Sequence, residues 1–224
     1  MRTQRLFLSA LTKYLLGLVL VALLLFLPAG TLAYPNGVLF LCLLFLPMLI
    51  LGAVLFVRAP ELLRRRLDGK EKERAQRGVL AFSALMFPAG FFVSTLDFRF
   101  GWSDVPLPAV SVASVLFLLG YGLYAEVMRE NAYLSRTVKV EEGQTVVSSG
   151  LYRIVRHPMY LSTLLMFLPM PIILGSFWGL LAFLPYPFLL VFRILNEETV
   201  LKNELVGYAE YTARVRWRLL PFVW

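Results

Sequence analysis

Apolar residues run along this chain in blocks of about twenty, the length of one bilayer crossing, and the charges collect between the blocks. The first block covers 14–33 and stops at Pro35-Asn36-Gly37; the second covers 38–57. A charged segment, 58–77, follows, with the run Arg64-Arg65-Arg66 and a mixed patch over 68–74. The third block, 78–96, is joined to the fourth, 109–127, by a loop holding Arg99, Trp102 and Asp104. After the polar stretch 128–156 comes an apolar region, 158–195, too long for a single span of ~20 residues. Pro169, Pro171, Gly175 and Gly179 punctuate it, which predicts a helical hairpin turning near Gly175-Ser176. The tail, 196–218, mixes charged and apolar residues at helical spacing and predicts an interfacial or docking helix. The expected fold is therefore all-α. It is a polytopic membrane helix bundle of about six crossings, with a C-terminal helical hairpin and a C-terminal interfacial helix. Pro28, Pro47, Pro88, Pro185 and Pro187 fall inside apolar blocks and predict kinks that neighbouring helices tolerate.

Composition agrees with the pattern. Hydrophobic residues make up 59% of the chain and charged residues only 16%, against about 25% in soluble domains; mean hydropathy is +0.73. Basic residues precede the first block, but no small-residue cleavage pattern follows it, so it is read as a spanning helix rather than a signal peptide. The net charge of +8 would suggest nucleic acid in a soluble protein. Here topology accounts for it, and no nucleic-acid partner is expected. With the N-terminus in the cytoplasm and alternating crossings, one face collects Arg2, Arg5, Lys13, the 58–77 loop, the 128–156 stretch and the tail, while the other face has Arg99 alone. That asymmetry predicts cytoplasmic N- and C-termini in a cell membrane, in the size range of a prokaryotic cytoplasmic membrane protein. The 58–77 loop is explained as a solvated topogenic loop beside anionic headgroups. Trp102, Trp178, Trp217 and Trp224 fit interfacial anchors. Cys42 is the only cysteine and His157 the only histidine, so no disulfide and no metal site is expected. The lipid bilayer is the one partner that composition demands.

Candidate chemistry lies near the C-terminus. In Gly150-Leu-Tyr-Arg-Ile-Val-Arg-His-Pro-Met-Tyr160 a polar stretch ends and an apolar helix begins. Pro158 suits a first helical position, which puts His157 at the cap. Arg156, His157 and Tyr160 then cluster at the mouth of a spanning helix, where free backbone N–H groups favour anionic groups. Across the hairpin, at the same face, lies Arg193-Ile-Leu-Asn-Glu197-Glu198. Arg193 and Glu197, four apart, share a helix side. Each cluster alone has a plain reading, a snorkelling arginine or solvated carboxylates. The hairpin brings the two to one depth, as a pocket requires. Glu126, Arg129, Glu130 and Asn131 fit a helix boundary that could also line such a pocket. Tyr208 and Tyr211 fit either ligand packing or anchoring of the tail.

The 150–160 string, the Arg193-x-x-x-Glu197-Glu198 element, Tyr208-x-x-Tyr211-x-x-x-Val215 and Pro221, with the lead-in Glu141-Glu-Gly-Gln-Thr-Val-Val-Ser-Ser-Gly150, resemble the isoprenylcysteine carboxyl methyltransferase family. They are also similar to the related phospholipid methyltransferases. The resemblance covers 138–224, and it divides the chain into N-terminal transmembrane helices, 1–137, and a methyltransferase-like region, 138–224. It implies an enzyme that binds S-adenosylmethionine at the cytoplasmic face and draws a lipophilic small-molecule or lipidated acceptor from the bilayer. It implies that His157, Tyr160, Arg156 and Tyr152 contact the cofactor together with Glu197 and Glu198. Arg193 would stand at the methyl-accepting group, with Glu197 holding the cofactor or orienting Arg193. Ser162 stands where many relatives have glycine, and Val206-Gly207 where many have Phe-Gly. A carboxylate acceptor, isoprenylcysteine-like or another lipid acid, leads. The alternatives are a phospholipid-amine N-methyltransferase, a nicotinamide-dependent reductase of the steroid-reductase type, and a non-catalytic membrane protein whose polar mouth only sets topology.

Overall fold

The computed structural model describes residues 2–67, 74–134, 140 and 143–224. The patch over 68–73 and the Glu141-Glu142 pair lie outside the described residues. Among the described residues all regular structure is helical: α1 (Arg2–Ala29), α2 (Pro35–Arg58), α3 (Pro60–Leu67), α4 (Arg74–Phe100), α5 (Leu107–Glu130), a 3₁₀ turn (Gly150–Arg153), α6 (Pro158–Phe167), α7 (Met170–Ile173), α8 (Trp178–Phe183), α9 (Tyr186–Glu204) and α10 (Tyr208–Arg214). Five helical segments are long and apolar enough to cross a membrane: Thr3–Ala29, Pro35–Arg58, Ala81–Phe100, Leu107–Glu130 and Trp178–Glu204. The segment Pro158–Ile173 is apolar but shorter, and it forms the first arm of the hairpin. The bundle and its hairpin thus match the expected architecture, with Gly175 in a left-handed conformation at the turn.

The surface is that of a protein in lipid. Leu16, Leu27, Val57, Leu85 and Phe188 are all at least 66% exposed, which a soluble monomer would not sustain over so wide a belt. Inside, aromatic rings fill the space between helices. Phe40, Phe117 and Phe183 are fully buried and belong to one cluster with Phe91. Helix α5 packs most extensively on α6, and Gly120 is the reason it can. A Cβ there would sit 3.0 Å from the Ser162 carbonyl and 2.7 Å from Met166 Cγ. Ser162, the departure from glycine noted above, is tolerated because its hydroxyl turns back to donate to the Met159 carbonyl at 2.6 Å.

The helix ends meet at two levels. At one, Tyr34 donates to the Leu174 carbonyl at 2.6 Å and Asn36 to the Ile173 carbonyl at 2.8 Å, which seats the hairpin turn on the α1–α2 connection. Asp97, fully buried at the end of α4, accepts from the Ser103 amide, the Ser103 hydroxyl and the Ser176 hydroxyl. Ser176 in turn accepts from the Gly179 amide, so one carboxylate holds the α4–α5 loop and the hairpin turn together. Asp97→Ala is expected to destabilise by about 2–4 kcal/mol, since it leaves buried donors unpaired. Thermal unfolding in detergent measures this, with the exposed Asp104→Ala unchanged.

At the other level Lys13 donates to the Leu67 carbonyl at 2.5 Å. Here α3 corrects the reading of 58–77 as a solvated loop. Leu62 and Leu63 are buried with Leu55 and Met128. Arg65 donates to the Ala132 carbonyl at 3.0 Å, and Arg66 donates to the Tyr124 hydroxyl. An amphipathic turn with two leucines on one side docks rather than floats.

The tail is also divided differently from the single helix expected over 196–218. Residues 196–204 complete α9, the chain turns at Gly207 (φ 85°), α10 follows, and 215–224 is a non-helical strap. The strap lies back on the start of α6: the amides of Arg156 and His157 donate to the carbonyls of Trp217 and Arg218, both at 2.9 Å. Trp217 and Trp224 belong to this strap, Trp224 lying under the Arg218 guanidinium at 5.2 Å. Pro185-Tyr186-Pro187 forms the joint between α8 and α9, at the N-terminus of α9.

Candidate active site

The approach to α6 is built on a close contact that only glycine allows. Gly150 has φ 50°, and a Cβ there would lie 1.5 Å from Glu130 Oε1. The Glu130 carboxylate uses that space to accept the Leu151 amide at 2.9 Å, tying the 3₁₀ turn to the end of α5. Tyr152, within the turn, accepts from Asn131 Nδ2 at 2.9 Å, and its carbonyl accepts from the Tyr211 hydroxyl at 2.7 Å. Gly150→Ala is expected to displace Glu130 and loosen this turn. The loss should appear as faster amide exchange at Leu151, with the transmembrane helices unaffected.

Pro158 is the first residue of α6 and His157 is its cap, as the sequence predicts. The His157 side chain makes no cap bond. It turns to Glu198, with Nε2 3.3 Å from Oε1. Glu198 is 3% exposed and sits among three basic groups: Arg156 Nε at 3.0 Å, His157, and Arg218 Nε at 3.1 Å. The Arg156 contact is an ion pair by distance, without the alignment of a hydrogen bond. Glu198 thereby joins α9, the start of α6 and the strap in one charged knot.

Glu197, one residue earlier, points about 100° away around the helix. It accepts a hydrogen bond from the Tyr160 hydroxyl, and that hydroxyl accepts from Arg193 Nε at 2.9 Å. The Arg193 guanidinium also lies over the Tyr160 ring, 5.9 Å from its centre. Tyr160 therefore bridges the arginine and the carboxylate that helical spacing placed on one side of α9.

These side chains face a pocket. Arg156, His157, Tyr160, Arg193 and Glu197 are its charged and polar lining, Val146, Leu201, Leu205 and Tyr208 its apolar and aromatic lining, and Asn131 and Gln144 line it too. Tyr152 and Tyr211 also line it. Glu198 does not; it stands behind the wall. Of the residues expected from the sequence, Arg156, His157, Tyr160, Tyr152, Arg193 and Glu197 come together around one space, and Glu198 holds two of them in place. Asn131, one of the boundary residues that could line a pocket, does line it, whereas Gln144–Val147 and Arg218 were not among the expected site residues. Arg218 carries no local signal, because only the fold of the strap brings it to Glu198. Of the boundary residues, Glu126 pairs with Arg129 at the surface, whereas Glu130 and Asn131 serve the site.

Burial pushes the hydroxyls of Tyr152, Tyr208 and Tyr211 well above the usual tyrosine range, and the carboxylates of Glu198 and Glu197 add to this at Tyr208. All three are thus neutral donors at physiological pH. A proton held more tightly in the folded state stabilises it below the ordinary tyrosine pKa near 10 and ceases to do so as pH rises past it. Melting temperature is therefore expected to be flat up to about pH 9.5 and to fall above pH 10 as these tyrosines ionise on unfolding, which a pH series of melts measures.

Residues 109–205, from the beginning of α5 to just past α9, match the family model described as phospholipid methyltransferase. That family includes the isoprenylcysteine carboxyl methyltransferases. The matched segment carries the 150–160 string and Arg193-x-x-x-Glu197-Glu198. Together with the apolar helices it supports an integral membrane methyltransferase.

Proposed function

Taking residues 109–205 as a phospholipid methyltransferase segment, we propose that this chain transfers a methyl group from S-adenosylmethionine to a carboxylate on a lipophilic acceptor. The observation that carries the proposal is the Arg193–Tyr160–Glu197 relay, a polar line that links α6 to α9 at the pocket. The donor set fits the cofactor. A sulfonium is a cation, and the pocket offers it a carboxylate, Glu197, among the rings of Tyr160, His157 and Tyr152. The apolar lining of Val146, Leu201 and Leu205 fits a nucleoside base. When bound, S-adenosylmethionine supplies a methyl group already activated for in-line displacement.

The protein then has to position and desolvate the reactants. Arg193, held by its bond to Tyr160, presents a planar fork to an anionic acceptor. A carboxylate attacks as the anion and releases no proton, so no general base is needed. Arg193 orients it, and Glu197 balances the positive charge on the donor side. Tyr160 fixes the distance between the two. The 138–224 region supplies this chemistry and 1–137 the helical frame, with Asn131, Tyr133 and Leu134 of the frame completing the pocket wall. The end of the bundle that carries the site also carries Arg58, Arg64–Arg66, Arg129 and Arg153, against Arg99 at the other end, which supports a cytoplasmic site and cytoplasmic termini.

The test is transfer of labelled methyl from S-adenosylmethionine to lipids presented in vesicles. Labelling of a fatty or isoprenoid acid as a base-labile ester is expected. Base-stable labelling of an aminophospholipid would replace the carboxylate acceptor with an amine, and no transfer to any lipid class would remove the enzyme reading. Glu197→Gln is expected to weaken S-adenosylmethionine about tenfold and S-adenosylhomocysteine, which lacks the sulfonium charge, much less, since the variant loses mainly the charge match of about 1.4 kcal/mol. Paired calorimetric titrations measure the difference.

A further inference from the structure

Among the described residues that line the pocket, Arg156 Nε has at least the Glu198 carboxylate beside it, whereas one hydroxyl is left without a hydrogen bond. Tyr208 is 4% exposed, yet its hydroxyl has no hydrogen-bond partner among the described residues. A buried hydroxyl without a partner is costly, and buried polar groups in native proteins are nearly all satisfied. Its neighbour one turn on, Tyr211, is fully satisfied through the Tyr152 carbonyl at 2.7 Å. The rings of the two tyrosines lie 5.6 Å apart, and of the two it is Tyr211 whose hydroxyl has a hydrogen-bond partner among the described residues. Tyr208 packs with Leu205 and Val146 and lines the pocket. The charged relay of Tyr160, Arg193 and Glu197 lines the same pocket.

We propose that the Tyr208 hydroxyl is a binding group for the nucleoside end of the methyl donor, donating a hydrogen bond to an acceptor atom of the base or ribose and so setting which way round the donor lies. This rests on the S-adenosylmethionine reading above. The group is a donor, because burial and the nearby carboxylates Glu198 and Glu197 keep it protonated. Leu205 and Val146 pack beside its ring, which suits a flat base. With the nucleoside at Tyr208, the sulfonium and its methyl group are left to Glu197 and Arg193, which line the same pocket. Tyr208 thus selects orientation, and its hydroxyl exchanges an unpaired state for a paired one when the ligand enters.

The exchange gives a signature that an anchoring tyrosine lacks. Tyr208→Phe removes an unsatisfied buried hydroxyl, so the unliganded protein should melt at the same temperature or higher. Binding of S-adenosylhomocysteine should weaken about five- to tenfold, the range of one buried hydrogen bond. Tyr211→Phe loses a made bond and should melt lower. Competition by 5′-methylthioadenosine, which keeps the nucleoside and lacks the amino acid, should weaken by the same factor in Tyr208→Phe. Undiminished S-adenosylhomocysteine binding by Tyr208→Phe, with the wild type binding, overturns this inference and leaves the methyltransferase reading standing. So does weakened S-adenosylhomocysteine binding with unchanged methylthioadenosine competition, which would put the hydroxyl at the amino-acid end. A lower melting temperature for Tyr208→Phe overturns it as well, since the hydroxyl would then have a partner within the protein. A folded wild type that binds neither compound overturns both readings.

Discussion

Replacing Glu198 by alanine should destabilise this protein by roughly 3–5 kcal/mol, the cost of leaving buried charges without their partner. Glu198 faces Arg156 Nε at 3.0 Å, His157 Nε2 at 3.3 Å and Arg218 Nε at 3.1 Å, and the Arg156 and His157 side chains are 6% and 4% exposed. With the carboxylate gone, the Arg156 guanidinium has lost its counter-charge inside the fold. The strap loses Arg218 as a tie at the same time. The effect should therefore extend beyond melting: S-adenosylhomocysteine binding should fall as the wall that Arg156 and His157 form loosens. Glu198→Gln keeps the shape and some hydrogen bonding, and should lie between alanine and wild type. Arg218→Ala should cost less than Glu198→Ala, because Arg218 is 28% exposed and water replaces it in part. Helix circular dichroism on heating, in one detergent for all variants, measures the series. An unchanged melt for Glu198→Ala would contradict the knot as a structural element.

The second large effect is expected at Arg193. Arg193→Ala should lower methyl transfer by about 10²–10³-fold, the scale of losing one preorganised charge-stabilising donor. S-adenosylhomocysteine binding should change only a few-fold, since Arg193 is assigned to the acceptor. Arg193→Lys should recover little. It keeps the charge but loses the fork, and its Nε bond to Tyr160 has no counterpart in lysine. Tyr160→Phe breaks the same relay from its centre and should resemble Arg193→Lys in rate. Steady-state transfer with the acid acceptor, set beside calorimetry, separates the two roles. If Arg193→Ala abolished cofactor binding and left the rate at saturating cofactor unchanged, Arg193 would belong to the donor side.

The sequence makes the membrane bundle legible because bilayer crossing imposes a long, simple apolar pattern. It also makes the site's location legible. Pro158 fixes the start of α6, and a spacing of four fixes Arg193 and Glu197 on one side of α9. What it conceals is set by tertiary contact. Leu201, Leu205, Tyr208, Tyr211 and Val215 keep a helical spacing straight through Gly207, so the period reads as one helix although a left-handed residue divides it. The same turn carries Arg218 back to Glu198, and no local feature of either residue announces the other. Two adjacent glutamates look equivalent as letters. One helical step turns Glu197 into the pocket and Glu198 onto the strap. Likewise, Arg65 and Arg66 read as loop charges until Leu62 and Leu63 dock α3 under the end of α5.

The most direct test of a methyl-donor site between α6, α9 and α10 is calorimetric titration of detergent-purified wild type and Glu197→Ala with S-adenosylhomocysteine and with S-adenosylmethionine. Micromolar binding of both compounds to the wild type, with S-adenosylmethionine weakened at least tenfold in Glu197→Ala, is the expected result. Absence of binding to a folded wild type, shown by a cooperative melt, would contradict it.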